Sequence, residues 1–259
     1  MPRYIPLTAL FLGAIALGST ACSRADDGDR PAVLDALEAK GLNIVEEFPA
    51  DDGLRAFAAV AGQQHPVAVY VTASGSAIVG TRVDRDGNES DAGRLQELVA
   101  GPMSDKIWSQ LDKAEWIQDG KPDAPHVVYL FSDPNCPFCN QLWHAARPWV
   151  DSGKVQLRHI MVGVIKEDSA NKVATILAAD DPSAALRQNE SNYKSGGVQP
   201  AATVPAKIRE TLDANQMLMM ELGFGGTPGI VFRDADGTVE RRNGLPRGDD
   251  LNVVMGGPH

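Results

Sequence analysis

One stretch constrains this chain more than any other. An apolar, β-branched run, Val127-Val128-Tyr129-Leu130-Phe131, leads through Ser132-Asp133-Pro134-Asn135 into Cys136-Pro137-Phe138-Cys139. A helix-like segment, 140–150, follows. Strand, turn, then cysteines at a helix start is a chemically loaded order. The first turn of a helix has unpaired N–H groups and the positive end of the macrodipole, and both stabilise a thiolate. A cysteine there drops from a pKa of about 8.5 into a range of roughly 3.5–7.5. A second thiol one turn on can attack a mixed disulfide formed at the first. The pattern reads as a thiol–disulfide exchange centre.

The remaining cysteine count sharpens this. Cys22 is the only other cysteine. Before it, Arg3 gives a positive n-region, 5–17 an apolar core and Ser19-Thr20-Ala21 a small-residue cleavage site, so 1–21 reads as an export signal. That apolar core is shorter than the ~20 residues of a membrane span. Cys22 directly after Ala21 leaves two outcomes open, a lipid-anchored chain and a soluble periplasmic one. Ser19 stands where a lipobox usually has Leu. Export implies an oxidising compartment. A bridge closing so short a loop adds little chain-entropy stabilisation, so the pair reads as redox-active rather than as a staple. Zinc would need further ligands. His65, His126, His144, His159 and His259 are scattered, so no metal and no cofactor is expected. A formal charge of −10 argues against nucleic acid.

The rest of the chain arranges itself around this centre. Residues 31–40 read as a short helix between Pro31 and Gly41. Strand-like pieces at 42–48, 54–60, 67–72 and 77–83, joined by Asp-Gly and Ser-Gly turns, predict an antiparallel sheet. Together they make a small α+β domain over 26–88. Residues 89–118 read as a linker helix that Gly101-Pro102 must break or kink. The domain boundary falls at the polar joint that starts at 118. From 119 to 259 the order is strand 126–131, helix 136–150 with a bend at Pro148, and strand 155–164. Helices at 169–179, 182–194 and 204–222 form an insertion of about 166–224. A hairpin over 229–242 and a helix at 248–255 follow. Thr227-Pro228 stands before an apolar strand, where a cis-proline loop would face the cysteines.

These residues carry a family resemblance. Phe131-Ser132-Asp133-Pro134-Asn135-Cys136-Pro137-Phe138-Cys139, the 146–158 and 162–166 segments, Thr227-Pro228, Gly244-Leu245-Pro246 and 251–256 resemble the periplasmic thiol:disulfide interchange proteins of the DsbC/DsbG family. Pro137 points to the DsbG branch. The resemblance implies a thioredoxin-like catalytic domain with an inserted helical subdomain. It also implies a small cystatin-like α+β dimerisation domain, joined by a linker helix. From residue type and place, Cys136 at the helix start reads as the exposed nucleophile and Cys139, one turn in, as the resolving thiol. Pro137 and Phe138 tune the pair, and Thr227 and Pro228 shape the substrate loop. The implied activity is that of an isomerase or reductase acting on protein disulfides and on sulfenylated single cysteines. The implied partners are exported proteins, a DsbD-type membrane thiol donor and a second copy of the chain. Two departures stand out. Phe138 replaces the usual Tyr, and Asn135 replaces a common aromatic, which predicts a less apolar rim. Two rival readings are kept: a monomeric disulfide-donating oxidase, and a periplasmic chaperone with secondary redox activity. His144, on the helix after Cys136, reads as a surface residue rather than a tuning one. Asp133 reads as a cap or orienting group for the turn.

Overall fold

The computed structural model describes Met1 and residues 30–51, 53–62 and 65–259. The export segment 1–21 and Cys22 lie outside the described residues, apart from Met1. The first part is α1 (Ala32–Glu38) followed by a meander of β1 (Leu42–Phe48), β2 (Arg55–Ala61), β3 (His65–Val71) and β4 (Ala77–Gly80). All neighbours are antiparallel, in the order β1-β2-β3-β4. Alternation decides which side chains go where. Phe57, Ala59, Val69 and Val71 meet Leu34 of α1 on one face. Ala56, Ala58, Ala68 and Tyr70 meet Val99 on the other.

Val99 belongs to α2 (Ala92–Lys113), which carries Pro102 inside it. The sequence predicts a break or kink there, yet the helix is assigned without interruption. Packing on both sides of the proline offsets its lost hydrogen bond. Leu95, Leu98, Val99 and Met103 lie against the first sheet, while Ile107 and Leu111 enter the core of the second. Ser104 Oγ accepts from the Val239 N–H at 2.9 Å, and Arg233 pairs with Asp105 at 2.8 Å.

The second sheet has the order β5-β7-β6-β8-β9, from β5 (Ile117–Asp119), β6 (His126–Ser132), β7 (Val155–Met161), β8 (Gly229–Arg233) and β9 (Val239–Asn243). Only β6 and β7 are parallel, joined by α3 (Pro137–Ser152). Residue 117 is therefore a strand residue, not the end of the preceding helix. Ile117 is buried against Met161, Val173 and Ile176, and Asp119 is buried beside Arg147. The helices α4 (Ser169–Leu177), α5 (Pro182–Ser191) and α6 (Ala206–Glu221) lie between β7 and β8, and α7 (Asp249–Val254) closes the chain. On β6, Val128 and Leu130 pack with α3 and α7, while Tyr129 and Phe131 pack with α2 and α6. Burial on both faces explains the unbroken apolar run.

Candidate active site

The site begins where β6 ends. Cys136 has extended dihedrals (φ −79°, ψ 116°) and is the N-cap of α3, with Pro137 in the first helical turn. Proline suits that position because its missing N–H has no intrahelical partner there. Both cysteines are free thiols. The Cys139 N–H donates to Cys136 Sγ at 3.2 Å, so the sulfur takes the place of a capping oxygen. From across the site, the Cys136 thiol donates to the Thr227 carbonyl at 3.4 Å. The Thr227–Pro228 peptide is cis.

Cys136 is only 2 % exposed. The expectation of an exposed nucleophile is corrected in this respect. The Thr227 loop crosses its sulfur and the helix turn closes behind it. Pro137 and Phe138, the latter 47 % exposed, are the tetrad side chains that solvent reaches.

The two thiols are driven apart in acidity. The pKa of Cys136 falls to about 6, chiefly because the Cys139 side chain donates to its thiolate. Burial opposes this, and the Thr227 side chain and the N–H groups of Cys139 and Phe138 add to it. Cys139 moves the other way, pushed up by burial and then by the neighbouring Cys136 sulfur. Thr227 Oγ1 is buried and has no hydrogen-bond partner among the described residues. A charged sulfur beside it gives that hydroxyl an acceptor.

The turn before the cysteines is held from several sides. Asp133, almost fully buried, accepts from the N–H groups of Asn135, Val164 and Ile165 and from Ser169 Oγ, at 2.7–3.0 Å. β7 stops at Met161, opposite the end of β6 at Ser132, rather than at 164, and the N–H groups of Val164 and Ile165 go to Asp133 instead. One turn into α3, Asn140 donates to the carbonyl and carboxylate of the buried Glu190 at 2.8 and 2.7 Å. Burial raises the Glu190 pKa, against hydrogen bonds from Asn140 and Asn189.

The chain as a whole is similar to known proteins. A family model described as a thioredoxin-like domain covers residues 114–255. The chain is 41 % identical to the thiol:disulfide interchange protein DsbG of Pseudomonas aeruginosa, over 96 % of this chain and 97 % of that one. It is 37 % identical to Escherichia coli DsbG, over 87 % of this chain and 91 % of the relative. This chain belongs to the DsbC/DsbG family. It is a periplasmic thiol:disulfide interchange protein with an α+β, thioredoxin-like fold. A solved structure of Helicobacter pylori DsbG is similar at 18 % identity and a TM-score of 0.43, covering 77 % of this chain and 98 % of that one.

Within this family member, Cys136, Cys139, Thr227 and Pro228 converge, with Pro137 and Phe138 on the helix start. Asn135 is turned inward rather than out to the rim, and borders only a side cavity next to Pro134. It is 4 % exposed, donates to Asp168 and Ser169, and accepts from Lys172 Nζ at 2.7 Å. Polar partners from the insertion satisfy both ends of the amide, so burial is tolerated. His144 is exposed and stacks edge-on with Trp143. Sequence reasoning missed Ser169, Lys172, Glu190 and Tyr193. Each reaches the site from more than thirty residues away, and only their place in an insertion beside the cysteines hinted at them.

Proposed function

We propose that the chain is an isomerase or reductase that works through the Cys136-Pro137-Phe138-Cys139 pair. The observation that carries this is the unlike setting of the two thiols: Cys136 caps the helix, accepts from the Cys139 N–H and lies against the Thr227 carbonyl, which goes with a lowered pKa, while burial raises that of Cys139. The Cys136 thiolate attacks one sulfur of a substrate disulfide. That S–S bond breaks, the second substrate sulfur leaves as thiolate and takes up a proton. Cys139 then loses its proton, attacks Cys136 Sγ and releases the first substrate sulfur. Alternatively the released substrate thiolate attacks a second disulfide of the substrate, and the different thiolate that this frees attacks the substrate sulfur of the mixed disulfide, which rearranges the substrate, expels Cys136 as thiolate and leaves the pair reduced. With a sulfenylated single cysteine, the thiolate displaces hydroxide, which leaves as water after protonation; sulfenic acid is still a reversible rung of cysteine oxidation. Net reduction leaves an oxidised Cys136–Cys139 pair, and a DsbD-type membrane thiol donor supplies the two electrons that restore it. Thr227 and Pro228 support an extended substrate across Cys136, and a second copy completes the working protein.

A Cys139→Ala variant tests the assignment. It should accumulate mixed disulfides with exported proteins through Cys136, and the Cys136→Ala, Cys139→Ala double variant should accumulate none. Absence of adducts in the single variant would sink the nucleophile assignment. Net disulfide donation outpacing isomerisation of a scrambled substrate would favour the oxidase reading.

A further inference from the structure

A cavity of 310 Å³ opens beside the cysteines, at Pro134 and Asn135, and is lined by Lys166, Lys172, Tyr193 and Lys194. Three ammonium groups around one cavity are notable in a chain of formal charge −10. Lys172 is buried and structural, since its Nζ donates to Asn135 Oδ1 and to the Gly196 carbonyl. The nearby Asp168 is taken up by Asn135 and Lys172. Lys166 and Lys194 are exposed and make no ion pair among the described residues. Tyr193 ties the cavity to the reacting centre: its hydroxyl donates at 3.0 Å to the carbonyl of Asn135, one residue before Cys136. On the other side, Val164 and Ile165, about two-fifths exposed, precede Lys166. The exposed apolar pair Val164-Ile165 thus stands next to two cations without ion-pair partners among the described residues.

We propose that this cavity is a carboxylate subsite, taking an Asp or Glu side chain of the substrate polypeptide a few residues from the cysteine under attack. This rests on the exchange reaction proposed above and adds a substrate class to it. The test uses the reduced full chain and two short peptides, each carrying one cysteine as a mixed disulfide with thionitrobenzoate. One peptide has Glu near the cysteine and the other Gln. Release of thionitrobenzoate gives the rate ratio of acidic to neutral peptide. At low salt the ratio should be about 5, the size expected of two partly exposed ion pairs. It should fall towards 1 in Lys166→Ala, Lys194→Ala and below 1 in Lys166→Glu, Lys194→Glu. High salt should also lower it. A ratio of 1 in the unaltered protein, or one that survives both double variants, overturns the subsite. Oxidised glutathione is the control for small thiols, which also carry carboxylates. A charge effect confined to glutathione overturns the polypeptide occupant. Failure of either peptide to exchange at all overturns the underlying reaction instead.

Discussion

At the scale of the residue, the chemistry lies in how two identical thiols become unlike. Cys136 caps the helix and takes hydrogen bonds; Cys139 gives one and stays buried. Because the largest stabilisation of the Cys136 thiolate comes from Cys139, replacing the partner should change the pH response most. Alkylation of Cys136 by iodoacetamide should titrate with a midpoint of about 6 in the reduced protein. In Cys139→Ala that midpoint should rise by at least a unit, and Cys139→Ser, which keeps a donor, should fall between. A midpoint unmoved by Cys139→Ala would mean that the helix start alone sets the acidity. A stability consequence follows with a definite sign. The folded pKa lies below the unfolded thiol value of about 8.5. Cys136 therefore contributes its full gain above about 8.5 and loses it as pH falls through about 6, while the raised pKa of Cys139 works against that gain only as pH rises past about 8.5. Urea unfolding of reduced protein at pH 5 and pH 8.5 should show this difference. Cys136→Ser should lose most of it.

At the scale of the element, the sequence was legible where structure is local. The strand into the tetrad, the helix starting at Pro137 and the four-stranded meander all follow from apolar periodicity and turn residues. Two errors came from long-range packing. Of the break or kink expected at Pro102, the break is absent, because Val99 on one side and Ile107 and Leu111 on the other are buried in different cores. Ile117 is not helical, because the edge of β7 is free to pair with it. Asn135 escaped for the same reason, since its partners lie in α4 and the loop before it. Two predictions belong here. Leu111→Ala should cost about 2–5 kcal/mol by leaving a cavity under the second sheet. It should destabilise that half more than Val99→Ala does, measurable by hydrogen exchange in β6 and β8. Asp133→Ala should cost about 3–5 kcal/mol, because buried donors from both segments lose their acceptor. It should also slow exchange at Cys136, since the turn that presents the sulfur is no longer tied to 164–169. Unchanged stability in Asp133→Ala would mean that water replaces the carboxylate without penalty.

At the scale of the whole molecule, the proposed second copy would bring two reacting centres to one substrate, and the edges of the first sheet bear on where it would join. An open edge is a row of unpaired N–H and C=O groups that invites another strand. The β1 edge is guarded, for it carries Glu46 and Glu47 and a register shift between Ile44 and Glu46. The β4 edge lacks such protection, and Ile78 and Val79 there are 58 % and 44 % exposed. We therefore expect two copies to join along β4, extending the sheet from one chain into the next. Ile78→Lys with Val79→Lys should put like charges on both approaching strands and shift the protein from dimer to monomer in sedimentation equilibrium. The two sites lie in a different sheet, so the alkylation midpoint of Cys136 should stay where it is. Isomerisation of a scrambled substrate should fall further than simple reduction of a small disulfide, because only the former gains from two centres facing one chain. A variant that still sediments as a dimer would move the interface away from β4. A monomeric variant with full isomerase activity would show that one catalytic half suffices, and that the first sheet serves another purpose.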